Sequence, residues 1–189
     1  MSEPVSILNG AAATGQTIAI AERGLVGQIT LRGDLSSKAL KAAVKAAVGV
    51  AVPGPLRATF EGGNGAVWMS PDELLLLTAY DQAGTLTPSL AQALAGQHHM
   101  AVNVSDARAV IALTGASVAE VLTKGAPLDL SDVAFPVGTA RRTHIGGIAV
   151  GLWRKADHEW EIVCFRSFAR HLFDWLVESS KAGSEVGDL

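Results

Sequence analysis

The chain has a single cysteine, Cys164, in 189 residues, so it can carry neither an intrachain disulfide framework nor a multi-cysteine metal site. Aromatic residues make up only 5% and charged residues 17%, while hydrophobic residues reach 49%, a balance too apolar and too lightly charged for a disordered chain. No apolar run extends to the roughly 18 residues that a membrane-spanning helix needs, so no membrane association is expected. Fifteen lysines and arginines against eighteen aspartates and glutamates leave a net charge of −3. That is without the basic excess required to neutralise a phosphate backbone, which argues against a nucleic-acid partner. The opening MSEPVSILNG places an acidic residue at Glu3 and has no basic segment followed by an apolar one, so it does not read as a secretory signal. Together with the lone cysteine, this predicts a cytoplasmic protein. Alanine supplies much of a positive mean hydropathy of +0.30. Small apolar surfaces of that kind either fill an alanine-rich core or meet another chain.

The length suits one domain, or two small halves sharing a core. Between Thr17 and Gly33, IAIAERG and LVGQITLRG alternate with period two and predict two short strands. SSKALKAAVKAAVG sets Leu40, Ala43, Val44, Ala47 and Val48 on one face and Lys38, Lys41 and Lys45 on the other. This predicts a helix with Ser36 as N-cap and Gly49 as its stop. After VPGP, the segments LRATFE, GAVWMS and ELLLLTAY predict three strands, with turns at Gly62–Gly65 and Ser70–Asp72. Leu86, Leu90 and Leu94 predict a second helix over about Pro88 to Leu94.

The order then recurs. HHMAVNVSD and RAVIALTGA predict strands, and SVAEVLTKG a helix opened by a capping box of Ser117 and Glu120. ARRTHIGG, IAVGLWRK and HEWEIVCF predict three more strands. A last helix from about Ser167 to Ser180 carries Phe168, Leu172, Trp175 and Leu176 on its apolar side. LRG ending at Gly33 recurs as LTG ending at Gly115, 82 residues on. The expected fold is therefore α+β: two similar halves of an antiparallel sheet with helices, ββαβββα repeated, packed as one compact unit. The expected organisation is an N-terminal arm over 1–16, a first half over 17–97, a second half over 98–181 and a flexible tail over 182–189.

Residues able to do chemistry are sparse and scattered. His98 and His99 are neighbours on a predicted strand and point to opposite faces, so they cannot form one clamp. His144 and His158 could meet across neighbouring strands, and Cys164 lies in an apolar strand as a small core residue. GGNG at Gly62–Gly65 lacks the following Lys-Ser/Thr of a phosphate loop and reads as a hairpin turn. Asp129 with Asp132, and Asp72 with Glu73, read as loop-capping carboxylates. The polar residues that stand out sit within or at the ends of apolar strands: Asp106 and Arg108 in VSDARAVI, and Arg166 in VCFRSFARHL. Such an arginine can receive an anion, or it can pair with Asp106 or with backbone carbonyls to fix a junction. Trp175 on the last helix is the expected contact anchor for a partner. Asp106, Arg108, Arg166 and Trp175 are thus structural or interface candidates, and the reading assigns no catalytic, cofactor-binding or metal-binding residue.

WMSPDELLLL at Trp68–Leu77, NVSDARAVIALTGASVAEVLTKGAPLDL at Asn103–Leu130, FPVG at Phe135–Gly138 and RSFARHLFDWL at Arg166–Leu176 follow one another at fixed spacings. Together they resemble the gamma-subunit family of heterotetrameric sarcosine oxidase. The middle segment is also similar to the folate-binding aminomethyltransferase family, which includes the glycine-cleavage T-protein. That likeness implies a folate-binding-domain-like fold without the strand-end acidic pair of those enzymes. The first resemblance implies a non-catalytic structural or assembly subunit, partnered by alpha, beta and delta subunits. The complex would oxidatively demethylate sarcosine to glycine, yielding hydrogen peroxide and formaldehyde or 5,10-methylenetetrahydrofolate. FAD, FMN, NAD and tetrahydrofolate would then be held by the partner subunits, and this chain alone would bind none. The alternatives are a free-standing tetrahydrofolate-binding aminomethyltransferase-like protein and a homodimeric binding module.

Overall fold

The computed structural model describes residues 3–15 and 17–187. In chain order its elements are β1 (Ala12–Thr14), β2 (Ala19–Glu22), β3 (Val26–Gly33), α1 (Lys38–Val48), β4 (Ala58–Glu61), β5 (Asn64–Ser70), β6 (Glu73–Ala79) and α2 (Tyr80–Ala93). They continue with β7 (His99–Asn103), β8 (Arg108–Thr114), α3 (Val118–Thr123), β9 (Ala140–Ile145), β10 (Ile148–Ala156), β11 (Glu159–Phe165), a 3₁₀ turn (Arg166–Phe168) and α4 (Ala169–Ser179). The strands form two sheets, one ordered β1-β2-β8-β11-β10-β9 and the other β4-β5-β6-β3-β7, and the pairings within both are antiparallel. Among the described residues no helix is long and apolar enough to cross a membrane.

The chain divides into two compact units. One is continuous, Leu25–Asp106; the other joins the residues up to Gly24 to those from Ala107 onward. In the continuous unit, Ile29 and Leu31 of β3 and Leu74 and Leu76 of β6 pack against Leu40, Val44 and Val48 of α1 and Leu90 of α2. Leu75 and Leu77 point to the opposite face of β6 and are buried as well, so the run ELLLL is a strand with two apolar faces. In the discontinuous unit, Ile111, Leu113, Leu152, Trp160 and Ile162 pack against Val121 and Leu122 of α3 and Leu172 and Leu176 of α4.

The expected repeat is present, with a difference in how it closes. β3-α1-β4-β5-β6-α2 and β8-α3-β9-β10-β11-α4 follow the same path, but the strand that opens each repeat is exchanged. β2 pairs with β8, Ala21 opposite Ala112, and β7 pairs with β3, Ala101 opposite Leu31. The boundary expected at 97/98 is therefore replaced by crossings after Gly24 and after Asp106. The stretch read as an N-terminal arm is built into the fold. β1 pairs with β2, and Leu8 is buried. The Glu22 carboxylate accepts from Ser6 Oγ and from the Leu8 and Gly10 N–H groups at 2.8–3.0 Å. The described part of the tail touches the body where the Val186 N–H donates to Glu120 Oε1 at 2.7 Å. Residues 1, 2 and 16 of the expected arm and 188 and 189 of the expected tail lie outside the described residues.

Local corrections follow from hydrogen bonding. α1 is capped by Ser37, whose Oγ accepts from the Leu40 N–H, because Ser36 is held in a turn by Asp34 Oδ1. Gly49 ends the helix in the left-handed region at φ 75°, where a side chain would be strained. α2 begins at Tyr80, directly after β6, well ahead of the expected start at Pro88. Pro88 lies inside the helix, and only Ala83 and Leu90 of it are buried, so its apolar period is faint. Ser117 occupies the cap position of α3 without a side-chain capping bond, and Glu120 holds the tail instead of closing a capping box. On the last helix the buried side is Ala169, Leu172, Phe173 and Leu176, and Phe168 is exposed.

Burial pushes the Cys164 thiol up to about 11 from an ordinary 9.0. In the folded chain a disulfide reagent at about pH 8 should leave this thiol untouched, and in urea it should react fully. Because the unfolded thiol ionises first, the thiol's contribution to stability is intact below about pH 9 and falls as pH rises toward 11. Unfolding titrations across that range would show the decline, and fast labelling of the native chain would refute the burial.

Candidate functional site

A polar cluster lies on the β10–β11 ribbon, where two neighbouring cross-strand pairs, Trp153–Glu161 and Arg154–Trp160, face opposite sides of the sheet. On one side the Arg154 guanidinium lies 5.3 Å from the Trp160 ring centroid. Trp160 stacks on Phe135 at 4.9 Å, and the Arg141 guanidinium lies over the Phe135 ring at 5.6 Å. Arg154 Nη1 donates to Asp132 Oδ1 at 2.6 Å and to the Phe135 carbonyl at 3.1 Å. Nη2 donates to the Asp157 carbonyl at 2.9 Å and Nε to that of Ala156 at 3.4 Å. The planar fork of an arginine suits this set of divergent acceptors. A hollow of about 350 Å³ opens beside it, lined by Gly115, Asp132, Asp157, His158 and Trp160 among others.

On the other side Glu161 is 3% exposed and receives three donors: Trp153 Nε1 on Oε2 at 2.9 Å, and Lys155 Nζ and an Arg23 Nη1 on Oε1, each at 3.0 Å. A carboxylate this buried is tolerable only with such partners, since its desolvation costs several kcal/mol. Arg23 and Lys155 keep about a quarter of their side chains in water and so lose less hydration. Both arrangements hold backbone segments together, and in both the charged groups are engaged by the protein itself.

The sequence candidates are dispersed. Asp106 sits in the turn between β7 and β8 and accepts from the Tyr80 hydroxyl at 2.8 Å. Arg108 opens β8, its guanidinium 6.0 Å from the Phe165 ring. Arg166 opens the 3₁₀ turn. Its backbone N–H bonds the Ala107 carbonyl at 2.9 Å, and its side chain reaches the Val5 carbonyl at 3.4 Å. Trp175 packs inward, onto Gly125 and Gly146. A Cβ on Gly125 would stand 2.6 Å from the indole and 2.9 Å from the Gly146 nitrogen, so only glycine fits there. Next to it, Lys124 Nζ donates to the Ser179 carbonyl at 2.7 Å and to Ser184 Oγ at 2.9 Å, joining the end of α3 to the end of α4.

His144 and His158 do not meet. His144 pairs with Ala149 near one end of β10 and His158 follows its other end, ~23 Å away at strand rise. His99 Nδ1 lies 2.9 Å from the Gln97 carbonyl. Asp129 does cap a turn: hydrogen bonds from the Ser131 hydroxyl and N–H hold its carboxyl below the usual range. The Ser70 hydroxyl, and then Arg32, do the same for Asp72. Asp132 instead serves Arg154. Arg154 and Glu161 were missed from the sequence, although a signal was there. Each is a charge within an otherwise apolar strand, IAVGLWRKA and EWEIVCF. Among the described residues no group of three or more His, Cys, Asp or Glu could hold a metal ion.

The model of the sarcosine oxidase, gamma subunit family matches residues 32–182. Sarcosine oxidase subunit gamma of Corynebacterium sp. (strain U-96) is 34% identical over 140 residues, 73% of this chain and 67% of that one. Its counterpart in Arthrobacter sp. is 30% identical over 182 residues, 93% and 88% of the two chains. A chain of the heterotetrameric sarcosine oxidase from Corynebacterium sp. U-96, in complex with pyrrole 2-carboxylate, superposes with a TM-score of 0.80 at 30% identity. It covers 94% of this chain and 90% of its own. Glycine cleavage system aminomethyltransferase T from Bartonella henselae superposes at 0.66 with 14% identity, over 89% of this chain and 48% of that enzyme, a likeness of fold alone.

Two comparisons of variants test the packing. Gly125→Ala should lower stability by about 1–3 kcal/mol in urea unfolding through overpacking. It should cost less in a Trp175→Ala background, where the indole it strikes is gone. Arg154→Met should cost about 2 kcal/mol or more, several times the cost of Asp132→Asn. The Asp132 side chain is 87% exposed and returns to water, whereas the carbonyls around the arginine lose their donor. Equal costs would refute this account of the cluster.

Proposed function

The chain belongs to the sarcosine oxidase gamma subunit family, and we propose that it is a non-catalytic structural subunit of a heterotetrameric sarcosine oxidase in the cytoplasm. In this reading its partners are alpha, beta and delta subunits, which hold FAD, FMN, NAD and tetrahydrofolate. The complex demethylates sarcosine to glycine with oxygen as oxidant, giving hydrogen peroxide and formaldehyde or 5,10-methylenetetrahydrofolate. The observation that carries the proposal is the match at 0.80 over 94% of the chain to a member of such a complex. The internal engagement of Arg154, Glu161 and Lys124 supports a structural role, since their polar groups are spent on holding loops, strands and helix ends. A scaffold of this kind stabilises its partners by binding their folded forms.

Co-expression with the partner subunits and purification through a tag on this chain should recover a complex with flavin absorbance and sarcosine-dependent peroxide production. The purified chain alone should show neither. Saturable tetrahydrofolate binding by the isolated chain, with no partner recovered, would favour the free-standing aminomethyltransferase-like reading instead.

A further inference from the structure

The two repeats differ at the outer edge of the exchanged strand. In the sheet β1-β2-β8-β11-β10-β9, β2 is covered by β1. In the other sheet the equivalent strand, β7, is the end of the order, and among the described residues no strand lies beyond it. The equivalence holds at the level of backbone groups. The Arg23 N–H donates to the Val110 carbonyl, and the Val104 N–H donates to the Gln28 carbonyl, 82 residues before Val110. Because N–H groups alternate along a strand, Met100 and Val102 bond toward β3, while the backbone of His99, Ala101 and Asn103 points outward. In β2 the matching outward groups are those of Ile18, Ile20 and Glu22, which β1 satisfies: Ala13 pairs with Ile20, the Gly15 N–H donates to the Ile18 carbonyl at 2.8 Å and the Glu22 N–H to the Ala11 carbonyl at 2.8 Å.

The edge also lacks the usual protection. HMAVN has no lysine, acidic residue or proline, and Met100 and Val102 stand 41% and 42% exposed on one face.

We propose that β7 accepts an extended segment from another subunit of the oxidase, added antiparallel as β1 is added to β2. At least three of its residues lie opposite Met100, Ala101 and Val102, and its apolar side chains cover Met100 and Val102. The mode is strand addition, in which main-chain bonds give affinity and alternate side chains give specificity. The proposal rests on the assembly reading above, in which the complex holds one copy of this chain, so the occupant is a different subunit.

In the co-purified complex, residue-resolved amide exchange should find His99, Ala101 and Asn103 protected to within about tenfold of Met100 and Val102, which β3 already holds. Val102→Lys should cut recovery of the partner subunits by about tenfold, and so should Ala101→Pro, which removes only an outward N–H. Gln92→Lys, at an exposed position of α2, should leave recovery unchanged, and all three variants should keep the native circular dichroism. Fast exchange at the three outward amides, or normal recovery of both edge variants, would overturn the proposal while leaving the assembly reading intact. Two copies of the chain in the native mass of the complex, lost on Val102→Lys, would assign the edge to self-pairing and overturn it equally. Failure of the unaltered chain to enter any complex would overturn both readings.

Discussion

Antiparallel pairing of β2 with β8, and of β7 with β3, is the constraint on which the rest of the fold depends. β3 and β8 lie inside their sheets, and a buried strand must have both rows of backbone groups bonded. Each obtains one row from its own repeat, through β6 or β11, and the other from a strand that lies beside the opposite repeat in sequence. The entropy of closing such loops grows only as the logarithm of their length, so the exchange is thermodynamically cheap. It is kinetically demanding, because contacts this distant in sequence must form before either sheet is complete.

Given that pairing, buried charge fixes the register. Trp153–Glu161 and Arg154–Trp160 are adjacent pairs on opposite faces of one ribbon, so a slip of one residue would move the carboxylate into the apolar side and the guanidinium away from its carbonyls. Removing either group alone leaves its buried partners without a counterpart, and each makes the wrong register expensive. The stack of Arg141, Phe135, Trp160 and Arg154 extends this hold to the FPVG turn, where the Gly138 N–H bonds the Arg154 carbonyl at 2.8 Å.

Several segments through which the chain resembles its family turn out to be packing partners. The KG of Lys124–Gly125 and the tryptophan of RSFARHLFDWL are far apart in sequence and meet where the indole lies on Gly125. The spacing of these motifs made the family legible, whereas the contact that explains them did not show in the sequence. α1 and β6 were legible because a clear apolar period or an unbroken apolar run leaves one solution. α2 was not, because a proline in its third turn reads as a beginning and its apolar residues are few. Trp175 looked like an anchor for a partner because large aromatics favour interfaces, and a glycine provided the internal seat that composition could not reveal.

By itself the sequence determined the class of fold, the duplicated order of elements, the positions of most strands and the family, because these depend on local periodicity and on residues at fixed spacings. Only the tertiary structure decided that the opening strands change places, that Arg154 and Glu161 fasten the β10–β11 ribbon and that β7 ends its sheet uncovered. Those outcomes depend on which backbone rows and which charges find partners across the chain. A local pattern records that a strand needs a neighbour, without recording which strand it will be.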